Sequence, residues 1–115
     1  LPPAEALASA QELLDAGRPF TAHEVLEAAW KQASGPDRVA WQGLAQIAVG
    51  ITHALRGNES GARSLLDRGA ASLADFAGTT PYGIDIDGVR AWAARARGDL
   101  TLVSQPPHLA VTKPR

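Results

Sequence analysis

The stretch VAWQGLAQIAVGITHAL, residues 39–55, carries no charged side chain and lies between Arg38 and Arg56. Placed at about 100° per residue, Trp41, Leu44, Ala48, Ile51 and Leu55 share one side, and Ile47 and Ala54 carry the apolar surface further round. Gly43 and Gly50 lie beside them. What remains is a narrow polar stripe, Gln42, Gln46 and His53, within roughly 40° of one another. A helix apolar over most of its circumference belongs in the middle of a fold, so the rest of the chain is expected to wrap around it. A membrane-spanning reading fails on length, since about 18–20 apolar residues are needed. This stretch is shorter and holds two glutamines and a histidine.

Two helices are predicted upstream. Pro2 and Pro3 precede AEALASAQELLDAG, where Leu7, Ala10, Leu13 and Leu14 form a stripe that Gly17 and Pro19 end. Thr21-Ala22-His23-Glu24 reads as a capping box, in which the Thr21 hydroxyl accepts from the Glu24 amide and the Glu24 carboxylate reaches back to the Thr21 amide. Phe20 stands in the hydrophobic-staple position. The second helix is expected to run to about residue 34, burying Ala22, Leu26, Ala29 and Ala33, with His23, Glu27 and Trp30 along one border. Gly35-Pro36-Asp37 ends it, and Asp37 is the expected N-cap of the central helix.

Downstream, Arg56-Gly57-Asn58 is a tight turn, with Gly57 suited to the left-handed C′ position and Asn58 to capping the next helix. So short a connection predicts an antiparallel hairpin. A fourth helix from residue 59 to about 77 should bury Ala62, Leu65, Leu66, Gly69, Leu73 and Phe76. Gly43, Gly50, Gly61 and Gly69 each cost about 1 kcal/mol in a helix relative to Ala, which close approach of two backbones would explain. A short fifth helix is predicted over about 87–97, with Val89, Trp92, Ala93 and Ala96 inward. The remainder, with Pro106, Pro107 and Pro114, reads as an extended tail, part of which can pack through Leu102 or Leu109, with a loose tip. The fold class is therefore all-α: one domain, a compact bundle of four main helices plus a short fifth, core about 4–98 and tail 99–115. No strand pattern or fixed-period repeat is present.

Composition narrows the function classes. A chain of 115 residues with 45% hydrophobic and 20% charged residues fits a soluble globular domain. A net charge of −1 gives no electrostatic footprint for nucleic acid, and Trp30 and Trp41 then read as core residues instead of base-stacking platforms. The absence of cysteine excludes disulfides and thiolate metal sites and fits a cytoplasmic protein. The opening LPPAEALASA lacks the basic segment and long apolar run of a secretory leader, and its start at Leu1 suggests a trimmed chain. Arg90, Arg95 and Arg97 read as a solvated helix face.

If helices two and three are antiparallel, the His23/Glu27 edge and the Gln42/Gln46/His53 stripe can meet inside the bundle. Three uses of that meeting stand open. It can be a hydrogen-bonded seam that fixes helix register, since an unpaired buried amide costs several kcal/mol. It can hold a small ligand or partner. Or His23, Glu27 and His53 can hold a divalent metal, imidazole and carboxylate suiting Zn, Mn or Fe, although the spacing is neither the Glu-x-x-His repeat of di-iron bundles nor H-E-x-x-H.

These residues also resemble a known family. Phe20-Thr21-Ala22-His23-Glu24-Val25-Leu26-Glu27 followed by Trp30 is similar to the F-x-x-H-E-V-L-E-x-x-W signature of domain-of-unknown-function family 309. Trp41-Gln42-Gly43-Leu44-Ala45-Gln46-Ile47-Ala48-Val49-Gly50 resembles its Q-G-L-I-Q-x-A-x-G block, with Ala45 where a larger apolar residue is usual. His53 and Arg56-Gly57-Asn58-x-x-Gly61-Ala62 follow at the family spacing, and Tyr82-Gly83-Ile84-Asp85 resembles its Y-x-G-I-D/N segment. The likeness spans roughly residues 7 to 97. It implies a small, soluble, all-helical bacterial or archaeal protein with no established activity, some members carrying the label of metal-dependent hydrolase. It also implies that His23, Glu24, Glu27, Gln42, Gln46, His53, Arg56 and Asn58 are the residues that matter. The leading expectation is non-enzymatic binding of a small ligand or partner at the His/Glu/Gln cluster, without a required cofactor. A metal-dependent hydrolase and a helical-hairpin adaptor for another protein, which needs an exposed apolar groove, are the alternatives.

Overall fold

In the computed structural model, which describes residues 1–111, five helices follow in order. They are α1 (Pro3–Asp15), α2 (Pro19–Gln32), α3 (Arg38–Leu55), α4 (Glu59–Ala74) and α5 (Ile86–Gly98), with 3₁₀ turns at Pro81–Gly83 and Leu100–Ser104. The uncharged stretch is the centre of this arrangement. Trp41, Leu44, Ile47, Ala48 and Ile51 are each at most 2% exposed, and α3 packs chiefly against α4 and α2, while α1 packs on α2 and α5 on α4. The fold is all-α, and among the described residues the only strand-like pairing is one antiparallel bridge between Ile84 and Ala110. Among the described residues no helix is long and apolar enough to cross a membrane.

The helix glycines do mark a close approach. A Cβ built on Gly69 would lie 2.6 Å from Ile47 Cδ1 and 2.9 Å from the Gly43 carbonyl oxygen. One on Gly43 would lie 2.8 Å from the Leu73 side chain, and one on Gly50 3.1 Å from Leu66. Thus α3 and α4 touch through backbone. The hairpin between them forms as expected, with Gly57 at φ 79° and the Asn58 side chain accepting from the Gly61 amide at 3.1 Å.

Two cap assignments are corrected. α2 begins at Pro19, so Thr21 already lies within its first turn, and no side chain caps that end. Proline is preorganised for the first helical position, where its missing N–H costs nothing, and that preference outweighs the Thr-x-x-Glu pattern. Glu24 is consequently an exposed helix residue, and Phe20 is 45% exposed instead of stapled. Asp37 has helical angles, φ −70° and ψ −13°, and makes no side-chain cap bond.

α4 ends at Ala74, a few residues short of the expected boundary, and Leu65 and Phe76 are half-buried. The segment after α5 packs on the bundle through Leu109, as expected, and hydrogen bonds tie it down further. Leu109 is 1% exposed, and its amide donates to Gln11 Oε1 at 2.8 Å while Gln11 Nε2 donates to the Pro107 carbonyl at 3.1 Å. Trp92 Nε1 donates to the Gln105 carbonyl at 2.8 Å. These bonds satisfy the backbone of a segment that has no ladder of its own. The expected loose tip, including Pro114, lies outside the described residues.

Candidate binding groove

The polar stripe of α3 is half-buried and turned toward α4. Gln46 Oε1 accepts from the Ser72 hydroxyl at 2.7 Å. His53 Nδ1 lies 3.0 Å from Asn58 Nδ2, and because an amide nitrogen only donates, the imidazole nitrogen accepts. A Cβ on Gly61 would come within 2.6 Å of Asn58 Nδ2 and 3.1 Å of His53 Cγ, so glycine there leaves room for this pair. His53, Asn58 and Gly61 together fasten the end of α3 to the start of α4. Gln42 is half-buried and makes no side-chain hydrogen bond among the described residues.

His23 and Glu27 form a separate group on α2. His23 Nε2 stands 2.9 Å from Glu27 Oε2, and Lys31 Nζ stands 3.0 Å from Glu27 Oε1. A carboxylate only accepts, so Nε2 carries the proton, while His23 Nδ1 is buried without a partner. Lys31 holds the Glu27 carboxyl below its ordinary value by hydrogen bond and charge, and His23 adds a smaller effect in the same direction. Among the described residues no hydrogen bond joins His23 or Glu27 to Gln42, Gln46 or His53, so these two groups do not form a hydrogen-bonded seam. No metal site is found among the described residues at the three-ligand set His23, Glu27 and His53. His53 is engaged at the α3–α4 turn, and among the described residues no group of three or more His, Cys, Asp or Glu side chains could hold a metal ion.

The remaining two site residues, Arg56 and Glu24, lie on opposite sides of Phe20. Phe20, at the head of the histidine motif, presses its ring edge-on to His23, with centroids 5.5 Å apart and planes at 87°. The Arg56 guanidinium carbon lies 5.8 Å from the centre of the same ring. Together these contacts hold an exposed aromatic in one orientation. On the Arg56 side of Phe20 runs an open groove of about 300 Å³, lined by Gly17, Arg18, Pro19, Phe20, Thr21, Thr52, Leu55 and Arg56. Leu55 is 53% exposed. Among the described residues neither Arg18 nor Arg56 forms an ion pair. On the other side of Phe20, His23, Glu24, Glu27, Ala28 and Lys31 line a second shallow depression.

Sequence reading singled out Arg56 but missed Arg18, Phe20 and Leu55 as members of a site. Leu55 looked like core because it continues the apolar side of α3 one turn past Ile51. It is exposed because it is the last helical residue. The usable signal was Arg56 at one end of the helix pair and Phe20 at the other, adjacent in space once α2 and α3 run antiparallel.

A family model described as a domain of unknown function, DUF309, matches residues 7–65. That span contains both ends of the groove and all eight expected site residues, whereas Tyr82-Gly83-Ile84-Asp85 lies beyond it. There the Tyr82 ring packs 5.3 Å from Trp41 and Asp85 caps α5 by accepting from the Gly88 amide at 3.1 Å. No curated protein matches the chain.

Proposed function

The chain belongs to the DUF309 family of domains of unknown function, and we propose that it is a non-enzymatic binding domain whose recognition surface is the groove between the start of α2 and the end of α3. The observation that carries this reading is the pairing of Phe20 and Leu55. Both are large, apolar and about half exposed, and both line one groove. Single exposed apolar residues are ordinary, but contiguous ones rimmed by polar groups mark interaction sites. Aromatic and arginine side chains also dominate the energetics of interfaces. The reading keeps His23 and Arg56 at the site as the groups that orient Phe20, with Glu24 and Glu27 at its far edge. Gln46, His53 and Asn58 are assigned to holding the α3–α4 hairpin. Among the earlier alternatives it favours the adaptor, because an exposed apolar groove is the feature an adaptor needs.

Selection of a random-peptide library on the immobilised protein tests this proposal. An enriched peptide should bind Phe20→Ala and Leu55→Ala at least about tenfold more weakly, about 1.4 kcal/mol for each. Both variants should keep the helical circular-dichroism spectrum, since neither side chain is buried. Absence of enrichment, or enriched peptides indifferent to both substitutions, would contradict the proposal.

A further inference from the structure

Resting on that binding reading, we infer that the occupant of the groove is an acidic peptide segment carrying a single apolar side chain. Two features of the groove lead there. It is lined by the apolar side chains of Phe20 and Leu55 and by the cations of Arg18 and Arg56, with no carboxylate among its lining residues. Every other residue lining it is uncharged. Arg63, Lys31 and Arg97 each meet a carboxylate within 3.3 Å, at Glu59, Glu27 and Asp67. Arg18 and Arg56, like Arg38, Arg68, Arg90 and Arg95, have no ion-pair partner among the described residues, but these two line a groove that also holds exposed apolar side chains. Guanidinium groups left unpaired beside apolar side chains are complementary to carboxylates flanking an apolar side chain.

Size narrows the occupant further. About 300 Å³ lies at the lower limit of small-ligand pockets, enough for one large side chain and its neighbours but not for the long apolar face of a helix. A single-stranded nucleic acid would also use an exposed aromatic and arginines. Here, however, the groove offers two cations only, with no longer basic track for a phosphate backbone, and the net charge is −1. The peptide is the better match.

An array of short peptides, each with one central Phe, Leu or Ile, tests the inference on the full chain. One set is flanked by Asp, Glu, Ser and Gly, a second by Lys, Arg, Ser and Gly, and a third by Ser, Gly, Asn and Gln; labelled oligothymidine is the nucleic-acid arm. The acidic set should yield binders about tenfold tighter than the neutral set. Arg18→Gln and Arg56→Gln should each shrink that advantage, as should salt raised from about 0.1 M toward 1 M, where the screening length falls from about 10 Å to about 3 Å. Acidic and neutral sets binding alike would overturn this inference and leave the binding-domain reading standing. No peptide set binding would overturn both. Tightest binding of the basic set or of the oligonucleotide would overturn the acidic occupant outright.

Discussion

Gly69→Ala puts a number on the backbone contact that organises the bundle. On helix propensity alone, alanine should gain about 1 kcal/mol. The structure opposes this with a new methyl 2.6 Å from Ile47 Cδ1 and 2.9 Å from the Gly43 carbonyl oxygen. Ile47 is 1% exposed and has nowhere to turn, and the second obstacle is backbone, so α3 and α4 must separate. Overpacking of this kind costs about 1–3 kcal/mol, and the backbone obstacle places this case at the upper end, leaving a net loss of about 2 kcal/mol. For 115 residues the unfolding entropy is about 0.24 kcal/mol/K, so Tm should fall by about 8 °C. Gly98→Ala is the control, because nothing lies within 4 Å of the Cβ it would add; it should be neutral or stabilising by up to about 1 kcal/mol. Urea unfolding of both variants with unchanged m-values is the assay. A neutral or stabilised Gly69→Ala would refute the close approach.

Further outcomes follow from individual contacts. Asp85→Ala removes the side-chain cap of α5, made to the Gly88 amide at 3.1 Å, and should cost about 1 kcal/mol in urea unfolding; a neutral substitution would deny the cap. Gln11→Ala removes both bonds to the segment after α5. The Leu109 amide should then exchange with solvent much faster than the amides in the middle of α3, and unchanged protection would show that Leu109 packing alone holds the segment. Lys31 holds the folded Glu27 carboxyl below its ordinary value. The stability this contributes is therefore present above the unfolded pKa of about 4.3 and is lost as pH falls through the lower folded value. Lys31→Gln should move the Glu27 carboxyl titration, followed by carbon NMR, back upward; an unmoved titration would remove Lys31 as the main cause.

The architecture was open to reading because it is written in periodicity. The uncharged circumference of residues 39–55, the glycines facing α4 and the Gly57-Asn58 turn each have one physical explanation, and the structure contains all three. The cap at Thr21 was misread because two local signals competed and Pro19, preorganised for the first helical position, prevailed. The site was read less well for a different reason. A helical wheel says that Gln42, Gln46 and His53 share a face, but not which neighbour lies opposite, and the structure places Ser72 and Asn58 there. The groove was hidden because Phe20 looks like a staple residue and Leu55 like a core residue until the helix ends leave both half uncovered. Gln11 was equally hidden, since its partners Pro107 and Leu109 lie almost the whole chain away.

The central claim is that recognition takes place where α2 begins and α3 ends. Amide chemical-shift mapping with the tightest peptide from the selection addresses it directly. Binding in the groove should concentrate perturbations at Arg18, Phe20, Thr21, Leu55 and Arg56. Perturbations centred instead on Gln42, Gln46 and His53 would contradict it and return recognition to the polar stripe of α3.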